Sequence, residues 1–156
     1  EDYDEDGDQD LYVANDYGRN NLYRNDNGKF VDVAASTGSE DVGGGMSAAW
    51  GDYDRDGRMD LYVSNMFSAA GNRVAYQRRF QEHATEKTKS NLRRLARGNS
   101  LFENADGRSF RDVSETMGVT MGRWAWASQF VDINNDGWED LIVTNGMITT
   151  QDTGDL

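Results

Sequence analysis

At 156 residues, 37% of them hydrophobic and 11% aromatic, the chain is long and apolar enough to bury a core, which argues against wholesale disorder. It contains no cysteine, so a disulfide framework and a thiolate metal site are both excluded, and no run approaches the roughly 20 apolar residues of a membrane span. The net charge of −12 offers nothing to nucleic acid, and it is concentrated in three short segments rather than spread over a face.

The first segment opens the chain as DYDEDGDQDLYVAN, Asp2 to Asn15. It returns as DYDRDGRMDLYVSN at Asp52 to Asn65 and more loosely as DINNDGWEDLIVTN at Asp132 to Asn145. The shared pattern is D-x-[DN]-x-D-G-x-x-D, a short apolar run, then Asn. Because the chain opens on Glu1, without a Met and in the middle of the first acidic motif, it is expected to be a piece of a longer polypeptide.

A second pattern alternates with the first. NNLYRNDNGKFVDVAASTG (Asn20 to Gly38) and NSLFENADGRSFRDVSETMG (Asn99 to Gly118) each read as a strand, a turn at Asn27-Gly28 or Asp106-Gly107, and a second strand. Short apolar runs, SAAWG and WAWASQFV, precede the second and third acidic motifs. The repeating unit is therefore strand A, acidic loop, strand B, strand C, strand D: four short antiparallel strands, the make-up of a propeller blade. The fold class expected is all-β, a partial β-propeller over residues 1–156, holding strands B to D of one blade, all of a second, and A and B of a third. Such a set exposes sheet edges, and the remaining blades of a longer chain are its expected partners.

The first two acidic motifs lie 50 residues apart and the next two 80 apart, the excess being an insertion, 67–98, between strands B and C of the second blade. There Val74, Phe80, Leu92, Leu95 and Ala96 recur at helical spacings, which predicts two short amphipathic helices separated near Thr85 to Ser90. The insertion carries eight of the sixteen bases against Glu82 and Glu86. In an antiparallel blade it lies on the face opposite the acidic loops, together with the links before strand A.

Four carboxylates within nine residues repel one another unless a cation sits among them, and an all-oxygen donor set points to a hard ion. Calcium, up to three ions, suits the pattern better than magnesium, which holds its water and demands a tight octahedron. Positions 1, 3, 5 and 9 offer side-chain oxygens: Asp2, Asp4, Asp6 and Asp10; Asp52, Asp54, Asp56 and Asp60; Asp132, Asn134, Asp136 and Asp140. Position 7, which is Asp8, Arg58 or Trp138, offers its carbonyl, and the glycine at position 6 permits the sharp turn. An EF-hand is excluded because its twelfth position is Val13, Val63 or Val143 and the flanks are β-rich. Asp-Gly-rich turns that hold no ion are the plainer alternative, which three copies with identical donor positions weigh against.

The unit D-x-D-x-D-G-x-x-D-L-x-V-x-N followed by N-x-L-[YF]-x-N and G-x-x-F-x-D-V resembles the FG-GAP/VCBS repeats of integrin-α-like propellers, ASPIC/UnbV-type proteins in particular. The resemblance implies calcium at the residues just named, with the third loop weaker because Asn134 replaces an Asp, and an extracellular, periplasmic or cell-surface setting. It points to a non-enzymatic scaffold for adhesion or for interaction with protein or glycan. Alternatives are the substrate-carrying propeller of a polysaccharide-acting enzyme and a lectin-like module. For these, Arg78, Arg79, Arg93, Arg94, Trp124 and Trp126 are candidate contacts to an acidic glycan or a protein segment. The competing reading makes the insertion a helical cap with paired or solvated arginines, and makes Trp50, Trp124 and Trp126 blade-core aromatics. His83, the lone histidine, reads as solvated, and Asp32 and Asp112 as strand caps; no Ser-His-Asp set, Cys nucleophile or P-loop can be assembled.

Overall fold

The structure is a computed structural model that describes residues 1–146. The end of the predicted propeller, 147–156, lies outside the described residues. Among the described residues nine strands form three antiparallel sheets in chain order. The first holds β1 (Leu11–Val13), β2 (Asn21–Asp26) and β3 (Lys29–Asp32). The second holds β4 (Gly45–Gly51), β5 (Asp60–Asn65), β6 (Ser100–Asn104) and β7 (Phe110–Asp112). The third pairs β8 (Ala125–Val131) with β9 (Asp140–Asn145). This is the strand content expected of a partial propeller: B to D, then A to D, then A and B. One short helix that the sequence did not announce, α1 (Ala34–Thr37), follows β3 and ends on Gly38 at φ +82°.

The period-2 alternation of strand B explains how the sheets stack. Leu61 and Val63 point into a cluster with Tyr3, Tyr12, Leu22, Phe102 and Phe110, between the first and second sheets. Tyr62, between them in sequence, points the other way into a cluster with Leu101, Val113 and Phe130 that joins the second sheet to the third. An apolar LYV run buried on both faces is what a central blade requires, because each face of its sheet meets another sheet.

Strand A corrects one expectation. Trp124 and Trp126 are not core aromatics but are 41% and 45% exposed. Register gives the reason: Trp50 pairs with Leu61, and the residue that pairs with the equivalent Leu141 is Phe130. Phe130 is buried and does the work of Trp50, while a register shift between Ala125 and Ala127 puts Trp126 at the bulge, as the shift between Gly45 and Ser47 does for Met46.

Within 67–98 the structure places α2 (Ala69–Ala75) and α3 (Glu86–Arg97). The break falls at 76–85 rather than near 85–90, because Thr85 is the N-cap of α3: its side chain accepts from the Thr88 N–H at 3.2 Å, and Glu86 occupies the first turn. Among the described residues no helix is long and apolar enough to cross a membrane.

Candidate metal centre

Each acidic loop joins strand B to the chain before it and folds on its own carboxylates. The first Asp closes the turn: Asp2 accepts from the N–H groups of Asp6 and Gly7 (3.1 and 2.9 Å), Asp52 from Asp56 and Gly57 (3.0 and 3.0 Å), and Asp132 from Asp136 and Gly137 (3.1 and 2.8 Å). The fifth position then accepts from the seventh, at 2.9 Å in all three loops. Two residues per loop take positive φ: the glycine at position 6 and, unannounced by the sequence, position 4, which is Glu5, Arg55 or Asn135 at φ +60°, +62° or +60°. A turn this tight brings side chains 1 and 3 together in the first two loops, joined by position 9 in the first and position 5 in the second.

The ninth position has a second role. Asp10 and Asp60 are buried, and Asp60 accepts from the N–H of Tyr53 at 3.2 Å and of Asn104 at 2.8 Å, tying the loop's start to the end of strand C. Asp10 does the same with Tyr3 and Asn25, at 3.1 and 2.8 Å, whereas Asp140 holds Ile133 alone among the described residues.

Carboxylate oxygens of Asp2, Asp4 and Asp10 lie within 4.8 Å of one another, as do those of Asp52, Asp54 and Asp56. Among the described residues the third loop makes no such triple; Asn134 instead donates to Asp136 at 2.9 Å. Burial and neighbouring carboxylates oppose ionisation of side chains in the first two loops. Burial, then Asp10 and Asp6, push the Asp4 carboxyl above its ordinary range, and burial likewise raises Asp54. Asp60 is pushed up to about 7 by burial and by Asp54 and Asp56, against the opposing hydrogen bonds from Asn104 and Tyr53. Most tellingly, Asp4 Oδ1 is a buried oxygen with no hydrogen-bond partner. The donor set and that orphaned oxygen fit a hard divalent cation.

The seventh positions differ. Asp8 accepts from the Asn27 N–H at 2.7 Å, holding the C–D turn of its own blade. Arg58 places its guanidinium on Asp56 and donates through Nε to the Asn104 carbonyl at 2.9 Å, so the second loop contains its own cation. Trp138 is exposed, with Arg55 of the second loop stacked 4.8 Å from its ring centre.

The other candidate residues lie at the far end of β5, about 20 Å along the strand. Their surroundings differ. Arg94 is committed to the fold: Nε donates to buried Asp41 at 2.8 Å, and the guanidinium also pairs with Asp112, which Arg97 holds as well at 3.1 Å. Burial would raise Asp112, but Arg94, the Ser114 hydroxyl and Arg97 together hold it at about 2. Arg93 stacks 5.2 Å from the Tyr76 ring centre, and Arg78 and Arg79, in the segment between the helices, are exposed. Asp32 accepts from the Ala34 N–H at 3.2 Å, just before α1, whose own N-cap residue, Val33, makes no side-chain cap bond.

The sequence showed the motif's last Asn without showing its use. The Asn65 N–H donates to Asn99 Oδ1 at 2.8 Å and its Nδ2 donates to Asp41, Gly98 and Ser100, clasping the two ends of the insertion. Asn15 and Asn20 make the equivalent backbone bond, also at 2.8 Å, around the short loop of the first blade. The recurrence of Asn at both positions was the available signal.

Antiparallel sheets stacked face to face, with an acidic loop leading into strand B of each, define a propeller-type repeat module. The family model described as FG-GAP-like repeat matches residues 2–63 and 92–143, leaving out most of the insertion. The chain belongs to the FG-GAP-like repeat family. None of the curated proteins searched matches it.

Proposed function

We propose that the chain is a calcium-stabilised propeller module, of the ASPIC/UnbV type within its family, that presents binding surfaces outside the cell and does not itself catalyse a reaction. One observation carries the metal reading: the same loop geometry recurs three times around clustered carboxylates, and in the first it leaves Asp4 Oδ1 buried and unpartnered. Asp2, Asp4, Asp6 and Asp10 with the Asp8 carbonyl would hold the first ion. Asp52, Asp54, Asp56 and Asp60 with the Arg58 carbonyl would hold the second, and Asp132, Asn134, Asp136 and Asp140 with the Trp138 carbonyl the third. A bound ion supplies the positive charge that lets these side chains stay ionised at close quarters. Affinity falls from the first loop to the third: Arg58 already neutralises part of the second, and Asn134 removes a charge from the third.

Sites of this kind suit extracellular calcium, with dissociation constants on the order of 10⁻⁴ to 10⁻³ M. At about 10 mM calcium each filled loop then adds about 1.5 to 3 kcal/mol to folding, or about 3 to 10 °C in Tm. Thermal unfolding in EDTA, then with calcium restored and with magnesium as control, reads this directly. A calcium-selective rise that shrinks in Asp4→Ala and in Asp54→Ala is expected; an unchanged midpoint in folded protein would sink the reading.

A further inference from the structure

Asn104 ends β6 with its side chain fully buried, and the polar atoms of both its side chain and its backbone N–H and carbonyl are engaged. Its N–H donates to Asp60 Oδ1 at 2.8 Å, its carbonyl accepts from Arg58 Nε at 2.9 Å, and its Oδ1 accepts from the Gly107 N–H at 2.8 Å. Its Nδ2 donates to two carbonyls that belong to different loops: Met59 of the second at 3.2 Å and Tyr3 of the first at 2.9 Å. Tyr3 sits between Asp2 and Asp4, and its own N–H is held by Asp10 at 3.1 Å.

The first blade provides an internal control. Asn25 occupies the same repeat position and makes the same bonds within its blade: N–H to Asp10 at 2.8 Å, Nδ2 to the Gln9 carbonyl at 3.1 Å, Oδ1 from Gly28 at 2.7 Å. Among the described residues it reaches no second loop. The bond to Tyr3 is therefore what Asn104 does beyond shaping its own blade.

We propose that Asn104 couples the first and second acidic loops, so that a divalent cation bound in either raises the affinity of the other. This rests on the metal reading above. A cation in the second loop immobilises Met59 and Asp60, and with them the Asn104 amide that fixes the Tyr3 peptide between two first-loop carboxylates. The first loop then has less disorder to lose when it closes, and linkage makes the effect reciprocal.

Calcium titration calorimetry on the intact protein, with the third loop disabled by Asp132→Ala, tests this. Emptying the second loop with Asp54→Ala is expected to weaken the first by about fivefold to twentyfold, and emptying the first with Asp4→Ala to weaken the second by the same factor. In Asn104→Ala the factor falls to one, while Asn25→Ala, which weakens the first loop itself, leaves it unchanged. Should Asn104→Ala fail to fold, Asn104→Ser removes the same amide with a smaller loss of volume. Independent loops in the native background, or a factor that survives loss of the amide, would overturn the coupling while leaving the metal reading intact. No calcium uptake by any loop would overturn both.

Discussion

Arg94 could be read two ways from its charge, as a contact for an acidic ligand or as a paired arginine of a helical cap, and the structure pairs it with Asp41 and Asp112. As one of eight bases in the insertion it had a plausible role in gripping an acidic ligand; its nearest carboxylates instead lie on the link before β4 and at the end of β7, far away in sequence. Asp41 and Asp112 carry no local signature of that partnership, which arises only when the insertion folds back over the edge of the second sheet. Because Asp41 is buried, removing Arg94 strands a charge, and Arg94→Ala is expected to cost about 3 to 5 kcal/mol in urea unfolding at neutral pH. Acid offers a second readout. The folded carboxyl of Asp112 sits at about 2, below an unfolded value of about 3.9. Its contribution is fully present above about pH 4 and is lost as pH falls toward 2, about 1 kcal/mol once solvent screening of this partly exposed side chain is allowed for. Asp60 has the opposite sign: raised to about 7, it makes the calcium-free protein lose stability as pH climbs from about 4 to 7. Calcium-free stability should thus peak in mild acid, and Arg94→Ala should flatten only the acid limb.

At the level of elements, the strands and acidic loops were legible because their signals are local: alternation, Asn-Gly and Asp-Gly turns, and a motif repeated in fixed register. The carboxylate positions of the candidate metal centre were legible for the same reason, whereas position 4's left-handed backbone was not, since Glu5 and Arg55 are poor advertisements for it. Strand A misled because tryptophan was matched to tryptophan, when pairing with Leu61 and Leu141 makes Phe130 the counterpart of Trp50. The helix break misled because apolar spacing locates a helix's middle and a cap locates its start. Thr85 supplies that cap, so Thr85→Ala should lower stability by about 1 kcal/mol. Thr85→Ser, which keeps the acceptor, should restore most of it. Equal losses in both variants by chemical denaturation would mean that the hydroxyl does not set the start of α3.

For the whole molecule, the repeat lets one motif position be compared in three surroundings. Leu11, Leu61 and Leu141 each follow the ninth-position Asp on strand B. Leu61 is 0% exposed between two sheets, Leu141 is partly buried beside the second cluster, and Leu11 is 51% exposed. The sequence makes the three equal, whereas Leu61 packs from a four-stranded sheet, Leu141 from a two-stranded one, and Leu11 lies outside both clusters. If burial between blades stabilises the module, the cost of truncation must follow position in the stack rather than motif identity. Leu61→Ala should cost about 3 to 5 kcal/mol, Leu141→Ala about 1 to 2, and Leu11→Ala less than about 1. Urea unfolding of the three variants under identical calcium decides it. Equal costs would mean that each leucine acts within its own sheet, and that the stacking of blades adds little beyond what each sheet already holds.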